Sequence, residues 1–180
     1  MTNNVRQQLI LGGARSGKSR LAQQRAEAWQ THTGGALYYL ATAGIGDDEM
    51  RARIDLHQSQ RDGRWQTLEQ PIALAATLKQ FRGQSVCILV DCLTLWLSNC
   101  LHQGVWLPQR DALLAELLAQ RQQAVAPELI LVSNEVGSGI VPLGQLSRDF
   151  VDAAGWLHQA LAAQLSSVTL VVAGLPLALK

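Results

Sequence analysis

The sequence predicts an α/β fold, a single domain spanning residues 1–180 and built on a mainly parallel sheet covered by helices on both faces. Two observations predict it. Apolar runs rich in β-branched residues alternate with helical patterns along the chain. The first run, Gln8-Leu9-Ile10-Leu11, leads directly into Gly12-Gly13-Ala14-Arg15-Ser16-Gly17-Lys18-Ser19, a full match to the phosphate-binding loop pattern G-x-x-x-x-G-K-[ST]. A strand before the motif and a helix after it are the context it requires, which makes the expected fold a phosphate-loop NTPase of the RecA-like kind.

Strands are expected at 7–11, 36–42, 85–91, 128–134 and 168–174, with helices at 17–31, 47–60, 71–82, 92–102, 109–123 and 145–165. The first helix begins near Ser16 and runs through strong helix formers, Arg20 to Trp29, without proline. The segment from Gln30 to Gly35 reads as extra length in the following loop. Asp47-Asp48-Glu49 gives the second helix an acidic start suited to the helix dipole. Pro71 and Pro108 suit first-turn positions in the third and fifth helices. Val86-Cys87-Ile88-Leu89-Val90 is an apolar strand ending in the carboxylate of Asp91. Right-handed crossovers bring the carboxyl ends of all these strands to one edge, so the residues there form one site.

Bulk properties narrow the chemistry. A chain of 180 residues, 48% hydrophobic, can bury a substantial core without staples. A net charge of +1 with no long run of one sign gives no support for a nucleic-acid surface or an anionic-membrane surface. Cys87, Cys92 and Cys100 have neither C-x-x-C spacing nor clustered histidines, and read as buried thiols in a reducing compartment. With no signal-peptide pattern at Met1 to Arg6 and no apolar stretch of membrane-spanning length, the expected location is cytoplasmic.

The phosphate loop specifies the ligand. Its glycines let successive amide N–H groups turn toward a phosphate, and the following helix adds its positive end. Lys18 reaches the β- and γ-phosphates, and Ser19 is placed to ligate Mg2+. Asp91 is a candidate for the second Mg2+-binding element, although strands also end in Asp simply to cap the next helix. Further along, Met50, Ile54, His57 and Arg61 fall close to one helical face. Spacing alone leaves two readings of His57: a packed, hydrogen-bonded side chain, or a nucleophile or acid-base group with Arg53 and Arg61 as phosphate holders.

Several motifs occur together and in a fixed order. They are the phosphate loop, Tyr39-Leu40-Ala41-Thr42-Ala43, Asp47-Asp48-Glu49-Met50 with Arg53-Ile54 and His57, Trp65-Gln66-Thr67-Leu68-Glu69, Asp91-Cys92-Leu93-Thr94, and Ser133 through Pro142. In this the chain resembles the bifunctional adenosylcobinamide kinase / adenosylcobinamide-phosphate guanylyltransferase family of cobalamin biosynthesis, over almost its whole length. The resemblance implies two reactions on one scaffold. ATP or GTP phosphorylates adenosylcobinamide, and GMP is then passed from GTP to adenosylcobinamide phosphate through a guanylyl-histidine. By the Arg-Ile-x-x-His context that histidine is His57. Thr42, Ala43, Gly44, the stretch Gln60, Arg61, Asp62 and Gly63, Glu69 and Asp91 match places where the family contacts guanine nucleotide. Glu69 could accept hydrogen bonds from guanine N1–H and N2–H, or could be an ordinary surface residue. Homotrimers are also implied.

The chain departs from the family pattern in two places. Arg61 is followed by Asp62 where Arg-Pro is frequent, and the last long helix reads Gly155-Trp156-Leu157-His158-Gln159 where Gly-x-x-Asn-Gln is frequent. Two competing functions remain at the level of sequence. One is a kinase without the transferase step, which the presence of His57 disfavours. The other is a nucleotide-gated binding protein, for which the sequence marks no partner surface.

Overall fold

A computed structural model describes residues 7–43 and 63–180. In chain order the elements are β1 (Gln7–Gly12), α1 (Lys18–Thr33), β2 (Ala36–Ala41), β3 (Trp65–Glu69), α2 (Leu74–Lys79), β4 (Val86–Asp91), α3 (Leu93–His102), α4 (Trp106–Arg121), β5 (Glu128–Asn134), α5 (Gln145–Gln164), β6 (Ser167–Val172) and β7 (Leu175–Ala178). The strands form one sheet in the order β3-β2-β4-β5-β1-β6-β7. Every pairing is parallel except β6 with β7. The helix expected at 47–60 lies outside the described residues.

Strands β4, β5 and β1 hold the middle of the sheet, and their near-continuous apolar sequences follow from burial on both faces. One face, with Ile10, Leu37, Leu89 and Ile130, is covered by Ala22 and Ala26 of α1. The other, with Leu9, Ile88, Val90 and Leu131, is covered by α2 to α5. In α3 the buried residues Leu93, Trp96, Leu97 and Cys100 make a stripe at helical spacing. The three cysteines are free and buried, as expected, and burial raises their pKa values, that of Cys100 to about 11.

The five expected strands and the covered parallel sheet are present, and the differences are local. Gln30 to Thr33 do not belong to a loop: they are the last turn of α1. Thr31, His32 and Thr33 bond to carbonyls four residues back, and Gly34 (φ 70°) ends the helix with its N–H on the Gln30 carbonyl at 2.7 Å. Pro71 precedes α2 rather than entering it. Gln70 Oε1 accepts from the Ile72 and Ala73 N–H groups, holding a turn that delays the helix to Leu74. Pro108 does fall in the first turn of α4. The last expected strand stops at Val172 because Ala173 (φ 51°) and Gly174 (φ 80°) turn the chain back into β7. Strands β3 and β7 were not expected. β3 is a half-exposed edge strand without a β-branched run, and β7 carries Pro176, which a sheet accepts at an edge.

Candidate nucleotide site

The phosphate loop occupies the turn between β1 and α1. A Cβ on Gly12 would collide with Ser16 Oγ and lie 2.6 Å from the Val171 carbonyl oxygen, so glycine is required where the chain leaves the sheet. Arg15 (φ 56°) and Gly17 (φ 97°) then bend the loop through the left-handed region. Helix α1 has no side-chain cap and no acidic residue in its first turn, so its positive end and free N–H groups are left for an anion. Lys18 is buried, with Nζ donating to the Gly13 carbonyl at 3.2 Å across the loop. Ser16 Oγ is buried without a hydrogen-bond partner among the described residues, a polar atom suited to a bound phosphate.

Two backbone bonds hold the loop to its surroundings. The Glu135 N–H donates to the Gly12 carbonyl at 3.1 Å, and the Gly174 N–H donates to the Ser16 carbonyl at 2.8 Å. Between these contacts opens a cavity of about 940 Å³, in the size range of small-molecule sites. Residues Ala14 to Arg20 form one wall, with three cations, Arg15, Lys18 and Arg20. Ala43, Asp91, Cys92 and Asn134 contribute the wall made by the strand ends. In the sheet Asp91 stands between Ala41 and Val132, so its carboxylate emerges at the carboxyl edge on the same cavity as Ser19.

The structure separates the remaining expected site residues. Thr42 is fully buried, and its hydroxyl is committed to Cys92, donating to the carbonyl at 2.6 Å and accepting from the N–H at 3.0 Å. Asn99 Nδ2 donates to the carbonyls of Thr42 at 2.8 Å and Pro71 at 3.2 Å. Thr42 thus braces the wall from behind while Ala43 faces the cavity. Glu69 ends β3 opposite Ala41, one strand farther out than the cavity wall, and is exposed. Gly63 is exposed in the turn entering β3. Gly44, His57, Gln60, Arg61 and Asp62 lie outside the described residues.

Other contributors escaped sequence reasoning. Arg20 and Tyr39 line the cavity, as do Ala173 and Gly174 at the β6–β7 turn. Arg20 had a legible signal, since it directly follows Ser19 in the first turn of α1. The Ala173-Gly174 contact had none, because it depends on a hairpin whose second strand contains proline. Behind Asn134 lies a further cluster, Thr94, Ser133 and His158, drawn from α3, β5 and α5.

Comparison with known proteins gives this geometry a context. Residues 8–179 match the family model described as cobinamide kinase / cobinamide phosphate guanyltransferase. The chain is 53% identical over 172 residues to the bifunctional adenosylcobalamin biosynthesis protein CobP of Pseudomonas aeruginosa, covering 96% of each chain. It is 38% identical over 184 residues to the bifunctional adenosylcobalamin biosynthesis protein CobU of Escherichia coli, covering 96% of this chain and 98% of that one. The Salmonella typhimurium protein of the same description is 38% identical over 185 residues, with the same coverage. A match spanning nearly every described element, phosphate loop included, means that this chain belongs to the cobinamide kinase / cobinamide phosphate guanyltransferase family.

Proposed function

We propose that this protein phosphorylates adenosylcobinamide with ATP or GTP and then transfers GMP from GTP to the adenosylcobinamide phosphate, releasing pyrophosphate. The observation that carries this reading is the single cavity that joins an open phosphate loop, three cations and the Asp91 carboxylate. In the first reaction the substrate hydroxyl attacks the γ-phosphorus, the bond to the β-phosphate oxygen breaks, the nucleoside diphosphate leaves, and the hydroxyl proton is released to solvent. Lys18, with Arg15 and Arg20 beside it, offsets charge on the transferring group and on the leaving oxygens.

Ser19 and Asp91 fit Mg2+: both are hard oxygen donors on the same cavity, and Mg2+ usually takes one or two protein ligands with phosphate and water completing its shell. Bound there, Mg2+ would neutralise charge on the β- and γ-phosphate oxygens.

In the second reaction His57 attacks the α-phosphorus of GTP, a P–N bond forms, and pyrophosphate leaves under the same cations. The phosphate of adenosylcobinamide phosphate then displaces His57 and takes up GMP. Glu69, at the end of β3, is the group proposed to accept from guanine N1–H and N2–H, with Ala43, Gly44 and the stretch Gln60 to Gly63 around the nucleotide and Thr42 supporting them from behind the wall. GTP labelled at the α-phosphate is expected to leave acid-labile, base-stable label on the wild-type protein and none on His57→Ala, which should still phosphorylate cobinamide from ATP. Label retained by the variant would remove His57 from this role.

The proposed assembly is a homotrimer in the cytoplasm, where a reducing environment suits three buried thiols. Two exposed apolar regions support assembly: Ile140, Leu143 and Leu146 after β5, and Leu175 and Leu177 on β7. Light scattering is expected to give three times the chain mass, and a monomer at micromolar concentration would refute the trimer.

A further inference from the structure

The carboxyl end of β5 carries a hydrogen-bonded chain that the proposed chemistry leaves unused. His158 Nε2 on α5 lies 2.8 Å from Ser133 Oγ, which lies 3.3 Å from Thr94 Oγ1 in the first turn of α3. Thr94 Oγ1 in turn accepts from the Asn134 N–H at 2.7 Å. Asn134 lines the nucleotide cavity, and its neighbour Glu135 is the residue whose N–H holds the Gly12 carbonyl. The imidazole is therefore linked, through two hydroxyls, to the strand end that meets the phosphate loop.

The protons in this chain are not independent. The Asn134 N–H is always a donor, so the two hydroxyl protons point either toward the imidazole or away from it. With Nε2 unprotonated, Ser133 donates to the ring and Thr94 donates to Ser133. With Nε2 protonated, Ser133 must accept from the ring and turn its proton toward Thr94, whose own proton then leaves the chain, with the Cys92 thiol as its neighbour. The ring thus sets the direction of both hydroxyls behind the cavity wall.

We propose that His158 is a positioning residue for phosphoryl transfer: as a neutral imidazole with its proton on Nδ1, it accepts from Ser133 at Nε2, so orients Ser133 and Thr94, and through them fixes the Asn134 backbone against the phosphate loop. This rests on the kinase reading. The surroundings favour the neutral ring. Burial lowers its pKa, and the opposing pull comes from Glu135, whose carboxylate is itself occupied by the N–H groups of Gly137 at 2.7 Å and Ser138 at 3.3 Å. From β5 the ring meets the uncharged Ser133, from α3 comes the uncharged Thr94 with the Cys92 thiol beyond it, and α4 shares the apolar cluster of Leu113, Leu117, Leu157 and Leu161.

The test compares wild type, His158→Leu, His158→Gln, Ser133→Ala and the His158→Leu/Ser133→Ala double variant in ATP-dependent phosphorylation of cobinamide, with urea midpoints alongside. His158→Leu should lower kcat about tenfold with KM for ATP changed less than about twofold, the pattern of a lost transition-state interaction. His158→Gln, which can place an amide near the position of Nε2, should recover most of the rate. The double variant should be no slower than the worse single variant, because both remove the same link. Wild type should lose activity on the acid side with an apparent pKa below the ordinary histidine value, and His158→Gln should not. Wild-type kcat in His158→Leu, additive losses, or a Gln variant as slow as Leu would overturn the proposal. If wild type phosphorylates no cobinamide, the kinase reading fails. The linkage is then read from NMR titration of the His158 ring with and without a non-hydrolysable ATP analogue: a shifted pKa supports it, and an unchanged one refutes it.

Discussion

Replacing Lys18 with alanine is expected to lower kcat of both transfers by about a hundredfold to a thousandfold, the usual consequence of removing one preorganised donor to developing negative charge. The side chain is buried at the base of the loop, and Nζ already sits over the Gly13 carbonyl at 3.2 Å. Little rearrangement is needed for it to meet the β- and γ-phosphates. Arg15 and Arg20 remain in the variant and keep part of the ground-state attraction for a triphosphate. Steady-state kinetics with ATP for the first transfer and GTP for the second checks this. A raised KM with unchanged kcat would show that Lys18 holds substrate and transition state equally, and would sink the argument.

Trp96→Ala is expected to have the largest effect on stability, a loss of about 3–5 kcal/mol, read from urea unfolding at a constant m-value. Trp96 is fully buried beneath the sheet, its ring packed edge-on against Trp106 at 5.8 Å between centroids. Its Nε1 also donates to the Ile72 carbonyl at 2.8 Å, so truncation leaves a cavity and removes one of the two hydrogen bonds at that carbonyl, the Leu74 N–H remaining as its other donor. Trp96→Phe retains much of the volume and loses the hydrogen bond, and should cost about 1–3 kcal/mol. Equal losses in the two variants would show that packing contributes little. Because the same helix holds the Thr42 and Pro71 carbonyls through Asn99, nucleotide affinity should fall together with stability.

Legibility in the sequence followed the range of the interaction concerned. β1, β4 and β5 were readable because strands buried on both faces carry runs of consecutive apolar residues, and the phosphate loop because its glycines and lysine sit at a fixed spacing within one short stretch. β3 and β7 were not, since an edge strand can carry exposed polar residues or a proline and still pair on one side. The same distinction holds in the site. Ser19 and Asp91 follow from motif and strand end, and both stand on the cavity. The commitment of Thr42 to Cys92 and the linkage of His158 to Ser133 join residues far apart in sequence, and no local pattern encodes them.

The bond from Gly174 to Ser16 has a thermodynamic corollary. A loop that begins in the first strand is completed by the hairpin between β6 and β7, where Gly17 and Gly174 approach so closely that a Cβ on Gly17 would stand 3.3 Å from Gly174 Cα. The loop therefore has this support only in chains whose last hairpin is docked on the sheet. Linkage then runs in the reverse direction: nucleotide that binds only the finished loop draws the population toward chains whose final hairpin is closed, and ligand concentration becomes a determinant of how often that edge of the sheet opens.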